Sequence, residues 1–148
     1  MQDPSSPDGS SPDDDVTLSV RKWVAAWGAE VAGVDMATAR ARFSPDVVSF
    51  GTHAGMVHGI DALHDQQWSN IWPQISEFEF LLDELSVLAS PDGLQAVAVV
   101  PWSSMGRNPA GDISDRPGQA TVVLRRATAD DAWLGVHTHF SLRPASSP

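Results

Sequence analysis

The chain has 148 residues, 42% of them apolar, a formal net charge of −10 and no cysteine. That length suits one domain with a real core, and the missing cysteines exclude disulfides, thiolate nucleophiles and cysteine-bound zinc. No run of about 18 apolar residues exists, so no membrane span is expected, and the acidic balance with no basic cluster makes nucleic acid a poor partner.

The opening MQDPSSPDGSSPDDD has neither a basic start nor an apolar core. It reads as no secretory signal, and a cytoplasmic location is the expectation. Asp3, Asp8, Asp13, Asp14 and Asp15 concentrate half of the excess negative charge there. Residues 1–13 are too polar to offset ordering entropy and are expected to be a disordered acidic tail. A domain over 14–143 and a short flexible tail over 144–148 complete the expected organisation.

Asp14 or Asp15 suits the N-cap of a first helix. Val16, Val20, Trp23, Trp27, Val31 and Val34 then recur at helical spacing and form one apolar face, with Gly33 as a stop. A short helix from Met36 to Phe43 ends at Ser44-Pro45-Asp46. Val47 to Phe50 reads as a strand and GTHAGMVHG as a turn or hairpin. Asp61 to Trp72 is a third helix, closed by Pro73. Strand-like segments follow at roughly 77–89, 94–105, 118–127 and 132–142. Helices first and an antiparallel sheet after them predict an α+β domain with helices on one sheet face.

This order, together with FSPDVVSFGTHAGMVHGIDAL, Ala120 to Leu124 and the ending W-x-x-V-H-x-H-x-S, resembles the nuclear-transport-factor-2-like superfamily. That superfamily includes the SnoaL-like proteins and ketosteroid isomerase. The ending is most similar to the SnoaL-like branch near the association domain of calcium/calmodulin-dependent protein kinase. The resemblance implies a cone: a curved antiparallel sheet wrapped around N-terminal helices, holding an apolar pocket and pairing as a homodimer through the sheet's convex face.

In the association-domain type a His and a Trp lie eight residues apart on the third helix. His64 and Trp72 match that spacing, with Trp68 between them on the same face. The stripe either packs the helix on the sheet or lines the cone. The family's pocket arginines align with Thr121, Phe140 and a position near Pro101 or Trp102, none of them basic. The resemblance therefore implies a cavity for a small neutral or aromatic ligand, with His64, Trp68, Trp72, Trp102, Thr121, Val136 and Phe140 as binding residues and no cofactor or metal. Ketosteroid isomerase chemistry needs a carboxylate base where this chain has Gly51, and hydroxyl donors from tyrosine, which the chain lacks. An isomerase, dehydratase or cyclase using His64 as acid–base is the enzymatic alternative, and an oligomerisation module the third.

In WLGVHTHFSL, strand alternation puts His137 and His139 on one face and Phe140 on the other. With Phe140 inward, the histidines face outward, towards a dimer seam. A metal at the pair would need a third ligand from His53, His58 or Glu79.

Overall fold

The structure, a computed structural model, describes residues 12–52 and 55–143. Most of the acidic tail, His53 and the closing 144–148 lie outside the described residues.

Helix α1 (Pro12–Ala32) buries Val16, Val20, Trp23, Trp27 and Val31, five members of the expected stripe. The sixth, Val34, is 42% exposed because the helix has already turned away. The helix ends at Ala32, so Gly33 is the stop as expected, and the left-handed position follows it. Val34 adopts φ 53°. Its N–H donates to the Val31 carbonyl, and the Asp35 N–H to that of Glu30. This pair of hydrogen bonds is the Schellman closure, and its left-handed position normally holds glycine. A β-branched side chain is strained there by about 1–2 kcal/mol. Val34→Gly is therefore expected to raise stability by about 1 kcal/mol, read as a higher urea midpoint at unchanged slope.

Asp35 then accepts from the Thr38 N–H and opens α2 (Met36–Arg40). Glu30, 8% exposed, receives Arg42 at 2.7 and 2.8 Å from Nε. The pair fastens the end of α1 to the start of β1 (Phe43–Phe50). After β2 (Met56–His58), the third helix runs over 60–74 in pieces. It begins as α3 (Ile60–Leu63), widens into a π turn (His64–Trp68), resumes as α4 (Ser69–Ile71) and ends in a 3₁₀ turn (Trp72–Gln74) containing Pro73. The Ser69 N–H reaches the His64 carbonyl, five residues back.

The remaining strands are β3 (Ile75–Phe80), β4 (Ser86–Ala89), β5 (Gln95–Arg107), β6 (Ile113–Asp115), β7 (Gly118–Arg125) and β8 (Leu134–Leu142). The expected strand over 77–89 is broken by a 3₁₀ turn (Leu82–Glu84), whose Leu82 carbonyl accepts from Arg21 at 2.7 Å. The break lets β3 and β4 pair with different stretches of β5, while β7 and β6 take its other edge. The sheet order is β2-β1-β8-β7-β5-β3. It is antiparallel except where β1 runs parallel to β8, so the α+β expectation holds with one mixed pair.

Ala96, Ala98 and Ala120 are buried on the sheet's inner face. Their small side chains leave room for α1 and its tryptophans. Trp27 lies edge-on to Phe43 at 5.0 Å and to Phe140 at 5.5 Å, and the core is closed on the Phe43 side of this cluster.

Candidate functional site

At the other end the core does not close. A cavity opens between the third helix and the inner sheet face, lined by Trp27, Gln67, Trp68, Trp72, Trp102 and Phe140 among others. Its volume is about 50 Å³ in the measure by which one water occupies about 10–15 Å³. The enclosed part has room for a few waters, and a ring seated there would extend from it into the mouth.

The third helix supplies two large walls. Trp68 and Trp72 stack with ring centroids 4.6 Å apart and planes 21° from parallel. Within the π turn both Gln67 and Trp68 are buried and face the cavity. Opposite them, β5 contributes Trp102, which is 1% exposed, and β8 contributes Phe140, 6.0 Å from it. Phe78 of β3 completes the aromatic ring around the space.

Four of the seven sequence-derived residues, Trp68, Trp72, Trp102 and Phe140, therefore converge. Three do not. His64 stays outside the cavity; its Nδ1 pairs with Asp65 of the same turn at 2.8 Å. The π turn is the cause, because it breaks the four-residue repeat that would have put His64 above Trp68. Thr121 pairs in register with His139 and points to the outer face, while its neighbour Ala120 faces Phe140's side. Shifting a strand assignment by one residue exchanges its faces. Val136 sits at an irregularity where the register slips between Val123 and Leu124. The slip leaves Val136 unpaired and turns Gly135 inward against Phe43.

His137 and His139 lie on the outer face. The His137 Nδ1–H donates to the Val48 carbonyl at 2.8 Å, and Phe50 packs against both rings. Among the described residues no three of His, Cys, Asp and Glu gather as a metal site would need.

Several wall residues had no sequence signal pointing to them. Gln67 fills the space beside Gly51, where an added Cβ would stand 2.5 Å from the Gln67 amide carbon. The position aligned with an isomerase base is thus occupied by a neutral amide from another element. Arg116, in the connection between β6 and β7, also reaches the cavity. Its backbone is pinned to Ser104 by two bonds of 2.8 Å, its N–H to the Ser104 carbonyl and the Ser104 hydroxyl to its own carbonyl. Its stem crosses Gly106, its guanidinium stands 5.6 Å from the Trp102 ring centre, and it donates to Thr52 Oγ1 at 2.8 Å. Burial pushes its pKa below the ordinary arginine value. The Arg-Pro pair is the one hint the sequence offers, since proline keeps the preceding residue extended.

The described residues contain no helix long and apolar enough to cross a membrane. No curated protein matches the chain. Among solved structures, a ketosteroid isomerase-like protein from Erwinia carotovora atroseptica superposes with a TM-score of 0.75 at 15% identity, over 89% of this chain and 99% of its own. An association-domain-like protein of the calcium/calmodulin-dependent protein kinase II type from Xanthomonas campestris gives 0.70 at 16%, over 93% and 92%. A nuclear-transport-factor-2-like protein with a cystatin-like fold from Novosphingobium aromaticivorans gives 0.69 at 17%, over 99% and 94%. At such identities these likenesses establish the fold alone: the curved sheet over helices of the nuclear-transport-factor-2-like type. The sequence profile of the SnoaL-like domain matches residues 20–146, and by that match the chain belongs to the SnoaL-like domain family.

Proposed function

We propose that the cavity binds a small, flat, apolar or aromatic molecule, and that two copies of the chain pair through the outer face of the sheet. The observation that carries the first part is the wall itself. Trp27, Trp68, Trp72, Phe78, Trp102 and Phe140 surround one space, and no Asp, Glu, His or Lys lines it among the described residues. Binding is favoured over proton transfer because a general acid or base must reach the reacting atom, and His64 does not reach this space. For the second part the support is the apolar character of the outer face, where Leu88 is 63% and Val99 41% exposed.

Four of the six tryptophans line the cavity, so intrinsic fluorescence reports occupancy. Titration with the neutral ring compounds toluene and benzamide is expected to quench it to saturation. Trp72→Ala is expected to weaken both by about tenfold or more, since removing one aromatic wall from the pocket costs about 1–2 kcal/mol of binding. No quenching by either compound at millimolar concentration would remove the proposal.

A further inference from the structure

We infer that the natural occupant of the cavity carries a carboxylate, held by Arg116 at the mouth, with its ring among the tryptophans. This rests on the cavity reading above and narrows it to flat-ringed carboxylic acids.

Arg116 is the one ionisable residue on the cavity wall among the described residues, in a chain whose formal charge is −10. No carboxylate among the described residues lies within ion-pair distance of it; the four pairs present involve Arg21, Arg40, Arg42 and His64. Its polar side-chain partner is the neutral Thr52 hydroxyl. A guanidinium has five N–H donors in a planar fork that matches a carboxylate with two parallel bonds. A half-buried cation left without a counter-charge in so acidic a chain is a binding group in waiting.

The second observation is independent of charge. Three buried polar atoms have no partner among the described residues: Trp27 Nε1, Gln67 Nε2 and Trp102 Nε1. All three residues line this cavity. Two indoles elsewhere are satisfied: Trp23 donates to the Trp133 carbonyl at 3.2 Å and Trp133 to Ser19 Oγ at 2.9 Å. Unmet buried donors are rare and costly. All three are donors on residues of one wall, and the atoms themselves are covered, so an acceptor on an occupant meets them as that wall adjusts around it. Carboxylate oxygens supply several acceptor sites at once.

The space beyond the mouth agrees. Ile71, Ile75 and Arg116 also line a polar groove with Asn70, Arg107 and Asn108. Asp115 stands in that groove too, outside ion-pair reach of Arg116. An apolar ring inward and a charged end outward fits this division.

Benzoate and benzamide share a shape and differ in charge. Calorimetric titration of the wild-type chain is expected to show benzoate binding at least tenfold tighter than benzamide. Arg116→Gln should abolish that difference, while Arg116→Lys should keep part of it. The indole N–H resonances of Trp27 and Trp102 should move on adding benzoate. Equal binding of the two probes by the wild type overturns the inference and leaves the cavity reading standing. Failure of both probes to bind overturns the two together. A preference for benzoate that survives in Arg116→Gln overturns the role of Arg116. Should that variant fail to fold, the wild-type comparison and Arg116→Lys still decide.

Discussion

An alanine at position 118 is expected to destabilise the domain by about 3 kcal/mol, lowering the melting temperature by roughly 10 °C. Gly118 pairs with Trp102 across β5 and β7. A Cβ there would stand 2.1 Å from the Trp102 ring and 2.5 Å from the Ser141 carbonyl oxygen. Neither can yield cheaply: Trp102 is 1% exposed, and the carbonyl belongs to the neighbouring strand. The backbone at 118 is not in the left-handed region, so the effect is steric alone. The same displacement would drive Trp102 into the cavity and remove ring binding. Gly55→Ala, with nothing within 4 Å of the added carbon, is the matched control and is expected to cost little. Trimming the obstacle in Gly118→Ala/Trp102→Phe should recover part of the loss, whereas a double variant no more stable than Gly118→Ala would contradict this account.

An aspartate in place of Val99 is expected to weaken the proposed pairing of two copies by about a hundredfold or more, with the monomer's fold intact. The register fixes two rows of neighbours on the outer face. One runs Leu88, Val97, Val123, His137, Val48 and His58; the other runs Ser86, Val99, Thr121, His139, Phe50 and Met56. Val99 lies in the body of this lattice and points away from the core. Neither row holds a Lys or Arg, Arg143 only shares the groove beside Val99, and desolvating a charge against a second sheet costs several kcal/mol. Sedimentation equilibrium is the measurement. A wild-type chain that stays monomeric at micromolar concentration, or a Val99→Asp chain that associates as before, would end the proposal.

How much of this was legible in the sequence depends on which regularity each element obeys. The α1 stripe was readable because an uninterrupted helix repeats every 3.6 residues, and five of its six members are buried. Phe140 was readable for the same kind of reason: β8 alternates faces strictly from His137 onward, which put it opposite the histidines. Readings failed where a single extra residue shifted the phase. The π turn displaced His64, and the slip beside Leu124 displaced Val136. Thr121 failed through an alignment one residue out of step with the pleat. The Gly33 stop was readable, but not that Val34 would take the left-handed position after it despite its cost. Arg116 was beyond reach for another reason: it comes from a connection whose path depends on β6 adding to β5, and no local pattern in RNPAGDISDRPG encodes that pairing.

The widened turn at His64–Trp68 has a consequence for how this wall can change. One surplus residue in a helix rotates everything after it by about 100° relative to everything before it. Trp72 and Ile71 therefore owe their aim at the cavity to a length difference and not to their own identities. Lineages that gain or lose a residue within that turn would re-aim the whole later half of the helix in one step, and so exchange what the chamber admits without touching the sheet that frames it.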